Sequence, residues 1–272
     1  MTTSHARQRG FALLIVLWTL ALLALMGTQI LATARQDTQL ARNLFDAAAL
    51  EAAANGAVQQ ASFNLLDNSN RHWNADDVTR TIRIGRAVVG VRIEDESDKV
   101  NPNYASADLL RALLVQAGAN PVTAAAVAAS IVEWRVAGGV PGRPDATTAR
   151  YIAAGREYAP SGAPFNSLDE LDAVLGMTPD LLARLRPHLT LFTDGDPNAA
   201  TRDPVVAQAL AVTGEHGGDA DAGGGAQVVS VTADARGDNA ARFAIQVIVR
   251  TNGRAEGSRY DILAYHQLWG AE

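Results

Sequence analysis

From Phe11 to Ala34 the chain reads FALLIVLWTLALLALMGTQILATA, without a single charge. Only Thr19, Thr28, Gln29 and Thr33 put polar side chains into the apolar run. A helix rises about 1.5 Å per residue, so roughly 20 residues cross the ~30 Å hydrocarbon layer of a bilayer. The stretch is long enough to span one. Arg7 and Arg9 precede it with no acidic residue beside them, which by the positive-inside rule places the N-terminus in the cytoplasm and the remainder across the membrane. A secretory signal has a shorter apolar core, roughly 7–15 residues, closed by a small-residue cleavage site. Here the sequence runs on into more helix.

The joint between basic leader and apolar helix is Arg9-Gly10-Phe11. It resembles the type IV pilin and pseudopilin family. That resemblance implies cleavage after Gly10 by a prepilin peptidase on the cytoplasmic side, and N-methylation of the new N-terminus, Phe11. The family also has a glutamate five residues into the mature helix, taken to pair with the free amine of a neighbouring subunit. This chain has Ile15 there. A carboxylate in lipid is costly unless paired, and a subunit with Ile15 forms no such pair. The resemblance therefore implies a subunit suited to one end of a fibre rather than to repetition along it. Under the plain alternative, a simple membrane anchor, Ile15 needs no special account.

The 272 residues suffice for a long helix and one or two ordinary domains. With 23 basic and 29 acidic residues the net charge is −6, which does not favour a nucleic-acid partner. Cysteine is absent, so disulfide frameworks and thiolate metal sites are excluded. Lys99 is the sole lysine.

Beyond the span, helix formers continue to Leu66, and no proline occurs before Pro102. Leu40, Leu44, Ala47, Ala48, Leu65 and Leu66 fit one apolar face, so Phe11–Leu66 is expected as one rod of ~84 Å. Thr79–Ile84 and Ala87–Glu94 read as strands joined by a hairpin at Gly85-Arg86. The acidic run Glu94-Asp95-Glu96-Ser97-Asp98-Lys99 offers oxygen ligands suited to calcium. Its ligand spacing does not repeat, and a solvated strand end and turn is the reading preferred.

Ser106 caps a helix with Leu109, Leu110, Leu113 and Leu114 on one face. Gly118–Pro121 ends it, Val122–Arg135 forms another, and Gly138–Pro144 is a loop. In SLDELDAVLGMTPDLLARLRPHL, Ser167 and Glu170 form a capping box, Gly176–Pro179 a turn, and Asp180–Leu189 a return helix. Asp203–Val212 is a short helix, and GEHGGDADAGGGAQ a flexible loop. Val228–Ala233, Ala241–Arg250 and Ser258–Leu268 read as strands, the last two joined at Asn252-Gly253.

The succession of leader, span, hairpin, EDESDKVNPN, ADLLRALL, IVEWR and FNSLDELDAVLGMTPDLLARLRPHLTLF resembles the K-class minor pseudopilins of type II secretion. The resemblance implies an α+β fold: a long N-terminal helix packed on an antiparallel pseudopilin sheet with an all-α domain inserted. Residues 1–10 are then the leader, 11–66 the N-terminal helix with 11–34 transmembrane, and 67–104 the first part of the sheet. Residues 105–212 are the inserted helical domain, and 213–272 the flexible loop and second part of the sheet. It implies a subunit at the tip of the periplasmic pseudopilus that drives protein export. Its partners would be minor pseudopilins of the I and J classes, prepilin peptidase and the bacterial inner membrane, with the C-terminal part periplasmic. After Trp134-Arg135 the family shows acidic residues where this chain has Val136-Ala137-Gly138-Gly139, so no calcium ligands carry over; calcium stays an option only for the run at Glu94.

No chemistry of an enzyme is legible. His5, His72, His188, His216 and His266 are scattered, and neither HExxH, GxSxG nor a phosphate loop occurs. Asp169, Glu170 and Asp172 fit the first turn of a capped helix better than acid–base catalysis. Two other functions compete. A type IV pilus minor pilin shares the leader but not the large helical insertion. LDAVLGMTPDLLARL has the shape of a nucleic-acid-binding helix–hairpin–helix, with Arg184 and Arg186 as its cations, but Asp169, Glu170, Asp172 and Asp180 surround them. No nucleic-acid partner is expected. The leader reading has a direct check. Sequencing of the chain from cells with a prepilin peptidase begins at N-methylated Phe11, and without the peptidase residues 1–10 are retained. A chain starting at Phe11 in peptidase-free cells would refute it.

Overall fold

One helix, α1 (His5–Leu65), runs for 61 residues without a break. It appears in a computed structural model that describes residues 5–67, 69–136, 146–214, 227–238, 241–251 and 260–268, without the side chains of 5–12, 27–38 and 146. Among the described residues the helix runs from His5, and Gly10 does not interrupt it, since glycine costs only about 1 kcal/mol against alanine. Along Leu13–Met26 every residue is exposed. From Leu50 onward one face is buried, carried by Leu50, Ala53, Ala54, Ala57, Val58, Ala61 and Leu65. The expected apolar face begins later than its spacing suggests: Leu40, Leu44, Ala47 and Ala48 are exposed. Among the described residues no helix is long and apolar enough to cross a membrane. Within the expected span Phe11–Ala34, the side chains of residues 11, 12 and 27–34 lie outside the described residues.

The buried face of α1 lies on a five-stranded antiparallel sheet of order β1-β2-β3-β4-β5, which makes the fold α+β. The strands are β1 (Arg80–Ile84), β2 (Ala87–Asp95), β3 (Val228–Arg236), β4 (Arg242–Thr251) and β5 (Tyr260–Leu268). Gly85 turns the first hairpin at φ 59°, the sign a two-residue hairpin turn requires at its first central position. Alternation places Val89, Val91, Ile93, Val229, Val231, Ala233, Ala235, Ile245, Val247 and Val249 toward α1. The small residues of α1 let the helix axis approach these valines closely. The Asn252-Gly253 turn, the expected strand start at Ser258 and residues 215–226 of the flexible loop lie outside the described residues.

Between β2 and β3 the chain forms α2 (Ala107–Gln116), α3 (Pro121–Val136), α4 (Ala146–Ala153), α5 (Pro179–Leu185) and α6 (Pro204–Thr213). The Ser106 hydroxyl accepts from Leu109 N at 3.0 Å to cap α2, and Asn120 Oδ1 accepts from Thr123 N at 2.9 Å to open α3. α6 starts on the Asp203 cap and ends at Gly214, φ 69°. Two expectations need correction. The return helix stops at Leu185 instead of Leu189 and tightens to a 3₁₀ turn over Arg186–His188. Pro187 explains it, having no N–H to donate and a ring that clashes with the preceding turn. The capping box at Ser167 opens a 3₁₀ segment, Leu168–Ala173, rather than an α-helix. There Ser167 accepts from Asp169 N, and Glu170 accepts from Asn166 N at 3.0 Å. α4 has no counterpart among the expected elements. The loop at 138–144 lies outside the described residues.

These helices bury their own core, built on Leu109, Leu110, Leu113, Leu114, Val127, Ile131, Leu171, Leu185 and Val206. It is separate from the core between α1 and the sheet. The close helix–sheet approach gives a stability test. Ala57→Leu, at a fully buried position, is expected to lower unfolding free energy by about 1–3 kcal/mol through overpacking. Ala49→Leu, at an exposed position on the same helix, stays within about 0.5 kcal/mol. Chemical denaturation compares the two.

Candidate functional site

The processing and register residues lie far along α1. Gly10 and Phe11 are in its first turns, with side chains outside the described residues. Ile15 is 48% exposed in a helical stretch that carries no charge.

The residues with most chemistry sit where the chain leaves the sheet for the helices. The run Glu94–Lys99 is not a solvated strand end. A 3₁₀ turn over Glu96–Asp98 folds Lys99 back, so Lys99 Nζ lies 2.7 Å from Glu96 and 3.1 Å from Glu94. The Glu96 side chain is 2% exposed and that of Lys99 12%. Burial works against the Lys99 ammonium, but Glu96 and Glu94 together outweigh it and push its pKa up. The remaining acids are engaged too. Asp95 accepts from Ser97 N at 2.9 Å and from Gln227 Nε2 at 2.7 Å. Asp98 accepts from Arg202 N at 3.2 Å; burial, with the charge of Asp95, raises its pKa. Among the described residues no group of three His, Asp or Glu side chains is placed to hold a metal ion.

The outgoing and returning chains are stitched together at this joint. Val100 N donates to His188 O at 2.9 Å and Thr190 N to Val100 O at 3.0 Å, a short parallel bridge. Asn101 Nδ2 donates to Thr193 O at 2.6 Å, and Thr201 Oγ1 to Asp98 O at 2.8 Å. The Arg202 guanidinium donates to Ala75 O. His188 Nδ1 and Asp203 Oδ2 lie 2.5 Å apart, while Asp203 Oδ1 caps α6.

The motifs IVEWR, VNPN and FNS, scattered in sequence, meet in space. Trp134 stacks on Phe165 with centroids 6.1 Å apart and planes 8° apart, and Tyr151 and Tyr158 pack around it. Arg135 donates to the carbonyls of Pro102 and Ala105 at 2.5 and 2.8 Å. Asn103 and Phe165 bond reciprocally, Asn103 Nδ2 to Phe165 O at 3.0 Å and Phe165 N to Asn103 Oδ1 at 2.7 Å. The sequence singled out Trp134 but missed this clasp and the buried Tyr151, whose hydroxyl accepts from Leu175 N at 3.1 Å. No local pattern marks long-range bonds of this kind.

The helix–hairpin–helix candidate resolves as packing. Gly176, φ 86°, turns against Val127, and an added Cβ would lie 3.1 Å from that side chain. Arg184 Nε donates to Ala117 O at 2.7 Å and Arg186 pairs with Asp169. Each of the two cations expected to meet phosphate thus has a partner within the protein.

Residues 87–194 match the family model described as Type II secretion system (T2SS), protein K. Among solved structures, the chain is similar to one in the crystal structure of the GspK-GspI-GspJ complex from the enterotoxigenic Escherichia coli type 2 secretion system. Identity is 15% and TM-score 0.56, covering 87% of this chain and 99% of that one; at that identity the likeness is one of fold. No curated protein matches the sequence.

The joint makes its own prediction. Lys99→Met leaves Glu96 buried without its cation, which is expected to cost about 3–5 kcal/mol; adding Glu96→Gln recovers part of it. The sign of the pH effect follows from the raised Lys99 pKa. Its stabilisation is complete below the ordinary value of 10.5 and is lost as pH rises through the higher folded value. Unfolding curves across that alkaline window are steeper in the wild type than in Lys99→Met.

Proposed function

From the protein K match over residues 87–194 we propose that the chain is a minor pseudopilin of the K class that caps the tip of a periplasmic pseudopilus without catalysing a reaction. The observation that carries this reading is the block α2–α6, a helical body with its own core set between neighbouring strands β2 and β3. As an inserted all-α domain spanning about residues 105–212, it gives the sheet a bulk that a further subunit stacked above would have to clear. Ile15 agrees, since a mature helix without the register carboxylate has nothing to offer the amine of a following subunit.

In this reading the leader is cut after Gly10, Phe11 is N-methylated, and Phe11–Ala34 anchors the precursor as a single pass in the inner membrane, with the head in the periplasm. The 24-residue apolar stretch and the two leader arginines support it. The solved relative was crystallised as a GspK-GspI-GspJ complex, and the partners proposed here are the I- and J-class minor pseudopilins.

Tip placement is tested by immunogold labelling of pseudopili assembled with the full chain. Label at one end of each fibre is expected, and label spaced along the fibre would end the tip reading. Ile15→Glu is expected to give export no higher than the wild type. A clear gain would mean that the missing carboxylate is a defect rather than a device.

A further inference from the structure

The end of the sheet nearest the apolar run of α1 carries a row of arginines. Register sets Arg83 opposite Val88, Val88 opposite Arg236, and Arg236 opposite Arg242. Their chain neighbours Ile82, Ala87, Ala235 and Phe243 belong to the core under α1, so alternation puts all four on the other face of the sheet. Arg86 extends the row into the hairpin turn, its side chain 92% exposed. Two acids stand among these cations. Asp234 accepts from Arg236 and from Arg242, both at 2.8 Å, and Asp238 pairs with Arg86 at 3.2 Å. Four arginines against two aspartates leave the row positive, on a chain whose overall charge is −6. On α1 nearby, the exposed Arg42 is offset by Asp46 one turn further on.

The level of this row along α1 is fixed by Gly237, the residue after Arg236. A Cβ there would lie 3.5 Å from the Leu50 side chain. Leu50 is the first buried residue of α1 among those described, and the helix N-terminal to it leads back to Phe11–Ala34.

We propose that the arginine row docks the head on an anionic phospholipid surface while the chain is anchored in its membrane. The proposal rests on the anchor reading above and adds the surface on which the head comes to rest. Leu50 follows Ala34 by 16 residues, ~24 Å of helix, so an upright α1 would hold the row clear of the bilayer. The span does not favour standing upright. Its 24 residues measure ~36 Å against a hydrocarbon layer of ~30 Å. A tilt of about 35° takes up that surplus, within the range that spans adopt. The outer face of the sheet lies ~15 Å from the α1 axis, one packing layer of ~10 Å plus side chains. Leaning toward that face brings the row to ~11 Å above the hydrocarbon, of which headgroups fill about 5–7 Å. The gap that remains is shorter than the Debye length of about 8 Å.

The chemistry selects the occupant. A guanidinium forks onto phosphate oxygens and keeps its charge at any accessible pH. Each arginine brought to an anionic bilayer surface strengthens attachment about fivefold, whereas a zwitterionic surface offers no net attraction.

The chain has no cysteine, so a single introduced thiol is unique. Full-length Val88→Cys, inside the row, is labelled with a fluorophore and placed in lipid nanodiscs whose headgroups carry a nitroxide quencher. Gln227→Cys, exposed just before the far end of β3 and ~30 Å from Arg236, is the control. With about 30% phosphatidylglycerol, quenching at 88 is expected to exceed that in phosphatidylcholine alone at least about fivefold, with no change at 227. Raising salt to about 1 M, where the Debye length is about 3 Å, removes the difference. So does Arg83→Gln with Arg86→Gln, with an unchanged circular dichroism spectrum. Equal quenching at 88 in the two lipids, equal quenching at 88 and 227, or a double glutamine variant that behaves as the wild type overturns the docking. A chain that washes out of the nanodiscs overturns the anchor reading instead.

Discussion

The pairing of β2 with β3 is the constraint on which everything else hangs. Eight residue pairs, from Val88 opposite Arg236 to Asp95 opposite Val229, join strands that flank the whole helical block. Closing so long a loop costs roughly 4 kcal/mol more in chain entropy than a two-residue turn, because the cost grows only with the logarithm of length. That modest sum is tolerable where the loop is not a loose coil. Here the intervening chain buries its own leucines between α2, α3, α5 and α6, and the Val100–Leu189 bridge ties its first residues to the segment between α5 and α6. The helical body shortens its own tether, and the sheet closes as though the insertion were small.

With two separate cores, orientation falls to the joint, and the joint is polar. Lys99 between Glu96 and Glu94, Asp98 under Arg202 and Thr201, and His188 against Asp203 all lie within it. Buried ion pairs add little net stability, because desolvation offsets most of the attraction. What they supply is geometry: a displaced hinge would leave Glu96 buried without its ammonium, so few alternative orientations are tolerable. An apolar joint would stabilise comparably yet allow sliding.

How far could this be read from the chain? Elements with their own local signals were legible: the uncharged run from Phe11, the Ser106 cap, the valine-rich strands and the helix formers up to Leu66. Misreadings arose where distant residues decide. Glu94–Lys99 is acidic and turn-like in one dimension, and only the fold shows the sole lysine folded back into it. The break at Leu185 is signalled by Pro187, against an apolar spacing that runs on past it. Leu40 and Leu44 fit the same face as Leu65, but spacing does not say where along a helix its partner begins. The clasp between Asn103 and Phe165 joins residues far apart in the chain, and nothing local announces it.

Residues unexplained by internal packing then carry the most information about what lies outside. In α1 the alanines at 53, 54, 57 and 61 are small because the sheet is close. Leu40 and Leu44 have no such neighbour and are exposed. Exposed leucines on a helix cost little singly, and a monomer tolerates many. At both edges of the sheet partly buried residues pack against this core, Trp73, Ile82 and Ile84 on the β1 side and Tyr260 on the β5 side.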